Sequence, residues 1–255
     1  MKGRFTFFGT GVSTGVPVVG CSCAVCLSDS PLNQRTRAAA LLHVENQQLL
    51  IDAGPDFRSQ ALKYRLHSLQ GLILTHTHYD HIAGIDDLRV FQFMTKKPLP
   101  TLLSQETMKD LERRYFYLVK TNKTPKFTFH VLEEKEGELS FLGIPIQYCS
   151  YHQTGMSVTG YRFGDLAFIT DIKEYPSSII DVLSGSETLV ISAIDWTPTR
   201  AHLGIEEAVE LAHKIGARRV FFTHIGHELD HEATNAKLPK FMELAYDGMS
   251  IECTI

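Results

Sequence analysis

The 255-residue sequence contains no apolar run near the roughly 18 residues that a membrane-spanning helix needs. Its beginning lacks both the apolar core and the small-residue cleavage site of a secretory signal peptide. Cysteine is scarce and odd in number, because there are five, and three of them lie within six positions. A secreted disulfide framework would space its cysteines through the chain. We therefore expect a cytoplasmic protein with no membrane partner.

An excess of positive charge is also missing, because 25 lysines and arginines stand against 29 aspartates and glutamates. The formal net charge of −4 gives no general attraction to nucleic acid or to anionic lipid. Internal repeats, low-complexity tracts and long linkers are absent from the sequence. Hydrophobic residues make up 44% and charged residues 21%, which is a globular composition. We expect residues 1–255 to form one domain.

Short apolar runs alternate with turn-forming residues along the whole sequence, and helical spacing is confined to separate stretches. The predicted strands cover residues 4–8, 38–44, 48–51, 72–74, 99–103, 127–132, 138–141, 144–150, 158–163, 166–170, 188–191, 219–222 and 249–253. The predicted helices cover residues 55–66, 80–93, 105–114, 205–215 and 234–245. Many strands with two groups of helices favour two packed sheets with helices outside, a four-layer αββα sandwich.

Four potential metal ligands occur within six residues, directly after the strand predicted over residues 72–74: His76, His78, Asp80 and His81. His76 and His78 alternate on an extended stretch, so both rings can point to one side. Asp80 and His81 begin a predicted helix and can point to a second position nearby. Imidazole and carboxylate ligands suit Zn, Fe and Mn, and two directions indicate two metal ions.

The pattern His-x-His-x-Asp-His after a short strand resembles the metal motif of the metallo-β-lactamase superfamily. Further markers of that family occur in the expected order, each directly after a predicted strand or close to its end. Asp52 precedes the motif, and His152, Asp171 and His224 follow it. The resemblance implies the αββα fold, and it implies that Asp52 orients ligands rather than binding metal. It implies these ligand sets: His76, His78 and His152 for one metal, Asp80, His81 and His224 for the other, and Asp171 bridging both.

A second cluster holds three thiols within six residues of one loop: Cys21, Cys23 and Cys26. Thiolates favour zinc, and a fourth ligand would close a tetrahedral structural site. We expect His227 to be that ligand, because it follows His224 by three residues and one segment could then serve both sites. His231 is the alternative. The predicted zinc loop covers about residues 20–37.

The glycine-rich loop over residues 9–17, followed by Cys-x-Cys-x-x-Cys, is similar to a phosphodiesterase branch of the superfamily that opens a cyclic sugar phosphate. This resemblance implies hydrolysis of a small phosphodiester, cyclic and sugar- or nucleotide-like, by a hydroxide that two metals activate. The catalytic metals would be Mn, Zn or Fe, with one structural Zn. His202, in a loop between a strand and a helix, is the expected acid for the leaving oxygen, and Asp80 the second catalytic residue. Members of the branch are often dimeric, which leaves a homodimer open.

Other activities of the same fold remain as alternatives. A transfer-RNA 3′-processing nuclease would need a basic surface, and the candidate stretch, residues 120–126, holds only three lysines. Nucleic acid is therefore a less favoured partner than a small phosphodiester. A thioester or lactone hydrolase and a quinone-cofactor biosynthesis protein are the remaining alternatives. Metal analysis together with a phosphodiester assay separates them.

Overall fold

The structure is a computed structural model that describes residues 1–120 and 124–255. Residues 121–123, in the middle of the basic stretch 120–126, lie outside the described residues. Within the described ranges, fourteen strands form two sheets of seven. In chain order the strands are β1 (Lys2–Gly9), β2 (Ala39–Val44), β3 (Gln47–Ile51), β4 (Gly71–Ile73), β5 (Leu99–Ser104), β6 (Phe127–Leu132), β7 (Glu136–Phe141), β8 (Ile144–Gln153), β9 (Met156–Phe163), β10 (Leu166–Ile169), β11 (Thr188–Ser192), β12 (Arg219–Thr223), β13 (Met242–Leu244) and β14 (Ser250–Thr254).

The helices are short and lie between the strands. In chain order they are α1 (Phe57–Lys63), α2 (Tyr79–Ile82), α3 (Arg89–Thr95), α4 (Gln105–Arg114), α5 (Phe116–Val119), α6 (Ser178–Leu183), α7 (Ile205–Ile215) and α8 (His231–Asn235), with 3-10 turns at Pro31–Asn33 and Ile85–Leu88. None of the helices in the described part of the chain is long and apolar enough to cross a membrane.

Each sheet is antiparallel in one half and parallel in the other. The first has the order β14-β1-β2-β3-β4-β5-β6, with parallel pairing from β3 to β6. The second has the order β13-β12-β11-β10-β9-β8-β7, with parallel pairing from β10 to β13. The carboxyl ends of neighbouring parallel strands meet at one edge, where loops can gather side chains into a site.

Three buried apolar layers lie between the four layers of sheets and helices. The layer between the sheets includes Phe5, Leu42, Ile146, Tyr161 and Val190. A second lies between the first sheet and its helices, and includes Leu50, Leu72 and Leu111. A third lies between the second sheet and its helices, and includes Ile191, Leu211 and Phe222. The predicted αββα sandwich is confirmed, because each sheet packs one face on the other sheet and one face on helices.

Two predicted helices differ from the structure. Residues 80–93 are not one helix, but form α2, a 3-10 turn and α3 in succession. The chain breaks at Gly84, where a Cβ atom would lie 2.2 Å from the carbonyl oxygen of Gly54. The helix predicted over residues 234–245 is wrong, because α8 ends at Asn235 and β13 pairs with β12. Pro239 lies between α8 and β13 and is incompatible with a continuous helix.

Candidate metal centre

Asp52 follows β3 directly, and the parallel pairing of β3 with β4 brings it beside Thr75. Its buried carboxylate accepts hydrogen bonds from the Thr75 N–H at 2.9 Å, the Thr75 Oγ1 at 2.7 Å and the His81 Nδ1 at 2.7 Å. The Nε2 of His81 then faces Asp171 Oδ2 at 3.1 Å and Asp80 Oδ2 at 3.4 Å. A carboxylate that holds one nitrogen of an imidazole in this way fixes the direction of the other nitrogen.

His76 and His78 extend from the end of β4. The Nε2 of His76 lies 3.0 Å from the Nδ1 of His78, and its own Nδ1 lies 2.9 Å from Thr75 Oγ1. Burial lowers the pKa of both rings, and that of His76 falls well below its usual range. Both imidazoles are therefore neutral near pH 7, which is the protonation state in which a histidine binds metal.

The second sheet supplies two more side chains, from residues that follow its parallel strands. Asp171 comes after β10 and His224 after β12; the Nε2 of His224 lies 3.4 Å from Asp171 Oδ1 and 3.2 Å from Asp80 Oδ2. Both residues have a left-handed backbone, with φ of 53° and 55°, as does Asp52 at 62°. Non-glycine residues seldom adopt this conformation, so the backbone is strained at three strand ends that aim side chains into one place.

The charges in this cluster are strongly coupled. Burial alone would raise the pKa of Asp171, but His224 and His81 outweigh it and hold that pKa well below its usual range. Burial alone would lower the pKa of His81, but Asp171, Asp52 and Asp80 outweigh it and raise that pKa well above 6.5. The buried carboxylates thus demand positive charge, which either protons or a metal cation can supply.

The geometry of Asp80, His81, Asp171 and His224 fits a divalent ion. Two ligands about 2.1 Å from one ion at a tetrahedral angle lie roughly 3.4 Å apart, and the His81 and His224 contacts to the carboxylates are 3.1–3.4 Å. The Nε2 of His81 is buried and has no hydrogen-bond partner among the described residues. A ligand lone pair that points at an ion has this property, because the ion takes the place of a donor.

His202 lies beside the cluster, in the loop between β11 and α7. Its ring stacks on His224 with centroids 5.1 Å apart, and its Nδ1 lies 3.7 Å from Asp171 Oδ1. Its side chain keeps 14% of its surface exposed, whereas the side chains of His224 and Asp171 each keep 2%. Burial and the neighbouring His224 lower its pKa to about 4. The ring is therefore neutral near pH 7 and open on one side to an incoming molecule.

His152 was predicted as a metal ligand, but the structure does not bring it into the cluster. The residue lies on β8 and is exposed, lining a surface hollow with Glu174 and Tyr175. Successive side chains of a strand point to opposite faces, so a shift of one residue decides which side chain enters the site. Here the last residue of β8, Gln153, enters in place of His152.

Gln153 was missed in the sequence because both faces of β8 carry buried apolar residues, and Ile144, Ile146 and Tyr148 share the register of His152. Cys149 and Tyr151 are apolar and buried, and Gln153 continues their register, whereas His152 falls on the face of Ser150. The Nε2 of Gln153 donates a hydrogen bond to Asp171 Oδ1 at 2.9 Å. The register of Cys149 and Tyr151 was the signal for Gln153, but the apolar register at the start of β8 favoured His152 equally.

The predicted cysteine cluster is assembled as expected. The Nδ1 of His227 lies 3.3 Å from the Sγ of Cys21, 3.4 Å from that of Cys23 and 3.5 Å from that of Cys26. A thiolate about 2.3 Å and an imidazole nitrogen about 2.0 Å from one zinc ion lie roughly 3.5 Å apart. The backbone N–H of Cys26 lowers the pKa of Cys23 to about 6, and burial raises that of Cys26 to about 11. These four residues fit a structural zinc ion.

Arg35 joins the cysteine loop to the segment that follows β12. Its guanidinium is buried and donates to the carbonyl oxygens of Gly226 and Leu229, both at 2.7 Å. This contact fixes the segment that carries His227. The alternative ligand, His231, is turned away, with its Nε2 3.1 Å from the side-chain nitrogen of Asn235.

Comparison with known proteins identifies relatives over most of the chain. Residues 47–225 match the model of the Beta-lactamase superfamily domain. A crystal structure described as a new diphosphatase from the PhnP family is 32% identical, with a TM-score of 0.93 over 99% of this chain and 98% of that one.

Two curated proteins are also similar. An octanoyltransferase of Porphyromonas gingivalis is 31% identical over 251 residues, which is 96% of this chain and 51% of that protein. A coenzyme PQQ synthesis protein B of Methylorubrum extorquens is 30% identical over 110 residues, or 38% of this chain and 37% of that protein. The chain thus spans about half the length of the first of these proteins.

Proposed function

The chain belongs to the metallo-β-lactamase superfamily and, within it, to the PhnP family; from that premise we propose that it is a metal-dependent hydrolase of small phosphodiesters. The observation that carries the proposal is that potential metal ligands from both sheets converge beside one partly exposed imidazole. The donors are His76, His78, Asp80, His81, Asp171 and His224. The imidazole is His202.

The buried donors would hold divalent ions, and these would bind the phosphate anion of a substrate. When bound, divalent ions lower the pKa of water and neutralise charge that develops on phosphate oxygens. Asp80 and Asp171 keep their carboxylates ionised, because the histidines that face them lower both pKa values. Asp52 holds His81 in one orientation throughout.

His202 is the proposed proton donor to the leaving oxygen. It stacks on His224 and lies 3.7 Å from Asp171, and its side chain is more exposed than that of His224. Its pKa of about 4 leaves the ring neutral near pH 7 before substrate binds. A phosphate anion beside the ring opposes that shift, because a nearby negative charge favours the protonated imidazole.

Hydrolysis of a disubstituted diphosphate is the second candidate function. It is favoured by the 32% identity and the TM-score of 0.93 to the diphosphatase of the PhnP family. The two reactions share attack on a phosphorus atom that carries one leaving oxygen, and they differ in whether that oxygen belongs to an alcohol or to a second phosphate. The names of the octanoyltransferase and of the PQQ synthesis protein carry less weight, because the aligned parts are about half and about a third of those proteins.

The test is hydrolysis of bis(p-nitrophenyl) phosphate and of a nucleotide sugar by protein loaded with Mn, Zn or Fe. The His78→Ala variant removes a donor, and His213→Ala, an exposed histidine at the end of α7, is the matched control. We expect turnover that disappears with His78→Ala and persists with His213→Ala. The faster of the two substrates decides between phosphodiester and diphosphate. Metal-loaded protein that hydrolyses neither, but cleaves a thioester or a lactone, would contradict the proposal.

A further inference from the structure

The donor set for one of the two expected ions is incomplete in this chain. The ion assigned to Asp80, His81 and His224 has all of its predicted donors in place, and Asp171 reaches them. The ion assigned to His76 and His78 lacks its predicted third donor, because His152 is exposed on the other face of β8. A third ligand for that ion would have to come from the residue that β8 places in the cluster instead.

Gln153 is that residue. It is 2% exposed, its Nε2 donates to Asp171 Oδ1 at 2.9 Å, and the same nitrogen lies 3.0 Å from the Nε2 of His202. Its Oε1 is buried and has no hydrogen-bond partner among the described residues. A buried acceptor without a partner costs roughly 1–3 kcal/mol unless a donor or a cation satisfies it.

We propose that Gln153, through its Oε1, is the third protein ligand of the ion on His76 and His78, and that this substitution makes the two ions bind with unequal affinity. The inference rests on the proposed function only in assuming that both ions bind. The ion on Asp80, His81 and His224 is then the tight one, and the ion beside Gln153 is the weak and exchangeable one.

The physical reason is the chemistry of the donors. The tight ion faces the carboxylate of Asp80 and shares that of Asp171, so it receives most of the negative charge of the cluster. The weak ion receives two imidazoles, an amide oxygen and a share of Asp171. An amide oxygen is a neutral donor and gives a divalent ion less electron density than an imidazole nitrogen or a carboxylate does, so the ion beside Gln153 is held less tightly. The hydrogen bond from Nε2 to Asp171 also orients the amide, leaving Oε1 as the free acceptor.

The test measures metal content and affinity on the full-length protein rather than activity. Protein that keeps zinc in the cysteine cluster is stripped of its other metals and titrated with Mn²⁺. Elemental analysis then gives the zinc content of the cysteine cluster and the manganese content of the histidine and aspartate site. After dialysis we expect about one Mn per chain in the unchanged protein and two in Gln153→His. The dissociation constant of the second Mn²⁺ should fall by about ten- to a hundred-fold, the range seen when the surroundings of a metal ligand change.

Electron paramagnetic resonance of Mn²⁺ adds a second readout. At one equivalent the unchanged protein should give the signal of an isolated ion, whereas Gln153→His should give a larger fraction of coupled pairs. His152→Ala is the matched control, since it alters the neighbouring residue on the exposed face, and it should leave both readouts unchanged. Gln153→Glu keeps the side-chain length and offers a carboxylate oxygen, so it should also tighten the second ion.

Three outcomes would overturn the inference. One is equal retention of two Mn ions by the unchanged protein. Another is a Gln153→Ala variant, shown to be folded by circular dichroism, whose second ion binds as tightly as before. The third is tightening in His152→Ala rather than in Gln153→His. If metal binds as expected but no phosphate substrate is hydrolysed, the proposed function fails while this inference stands.

Discussion

The molecule holds two donor clusters that differ in how they are built. The cysteine cluster takes three of its four donors from six consecutive residues of one loop, and the fourth is His227. The histidine–aspartate cluster takes its donors from the ends of strands in both sheets, and these are His76, His78, Asp80, His81, Asp171 and His224. The segment after β12 belongs to both, because His224 enters one cluster and His227 the other. The comparison shows that a local cluster depends on spacing, whereas a cluster at strand ends depends on register.

The supports of the two clusters differ in the same way. The cysteine cluster is held by backbone N–H groups of its own loop and by Arg35, which fixes the segment of His227. The histidine–aspartate cluster is held by strained residues at strand ends and by Asp52. Damage to the first should therefore affect stability, and damage to the second should affect chemistry. Single substitutions in each cluster test that division.

Asp171→Ala should cause the largest loss of activity. The carboxylate contacts donors on both sides of the cluster, His81 at 3.1 Å and His224 at 3.4 Å, so its removal leaves two buried imidazoles without their shared anion. We expect kcat/KM to fall by at least about 10³-fold, the scale on which loss of a main electrostatic contributor acts. Zinc in the cysteine cluster should remain at one per chain.

Asp181→Ala is the matched control for this change, since Asp181 is exposed on α6. The two variants are compared by steady-state kinetics and by elemental analysis of zinc. If Asp171→Ala also released the zinc, the two clusters would not be separable and the comparison would be broken.

His202→Ala should have the next largest effect, and that effect should depend on the leaving group. A proton donor contributes about 10²–10⁴-fold where the leaving oxygen needs a proton, but little where the leaving group is p-nitrophenolate. We expect a loss of at least about 100-fold for an alkyl phosphodiester and less than about ten-fold for bis(p-nitrophenyl) phosphate. Equal losses for both substrates would assign His202 to binding rather than to proton transfer.

The sequence predicted the layers of the fold and most of the side chains that the structure brings together, because those signals are local. The run His76–His81 and the cysteine stretch 21–26 place several ligands within one turn or loop, so their grouping needs no knowledge of packing. Asp171 and His224 follow clear apolar strands, and parallel pairing brings their strand ends together. The choice of His227 over His231 depended on a spacing of three residues, and the structure places His227 beside the thiols.

What the sequence did not predict depends on register and on tertiary pairing. His152 and Gln153 differ by one residue on a strand whose two faces both carry buried apolar residues, so alternation did not decide between them and residue type favoured the histidine. The helix predicted over residues 234–245 failed for a related reason. Met242–Leu244 forms a strand because β12 offers it an edge, and the N–H of Leu244 also donates to Asn235 Oδ1 at 2.8 Å.

Asp52→Asn should have an intermediate effect. Asp52 accepts three hydrogen bonds, from two groups of Thr75 and from His81. An amide has only one acceptor oxygen, so its nitrogen must face a donor and the hold on the His81 ring weakens. We expect activity or metal affinity to fall by about 10- to 100-fold, as for other residues that orient a metal-binding histidine. Kinetics and Mn²⁺ titration measure the change, with Asp181→Asn as control, and an unchanged metal affinity together with unchanged activity would contradict it.

Cys23→Ser should have the smallest effect on activity and a large effect on stability. Cys23 lies 3.4 Å from the His227 Nδ1, within the group of four side chains that fits a structural zinc ion. A zinc ion present at about a thousand times its dissociation constant stabilises the folded chain by about 4 kcal/mol. For a chain of this size, losing that stabilisation corresponds to a fall in Tm of roughly 10 °C. At 25 °C the folded fraction should keep kcat within about three-fold, because His224 is also held by β12 and by its contacts to Asp80 and Asp171.

Cys253→Ser, a buried cysteine outside the cluster, is the control and should keep its zinc. Loss of activity as complete as in Asp171→Ala would mean that the segment from His224 to His227 transmits damage from one cluster to the other, and that register alone does not hold the catalytic donors.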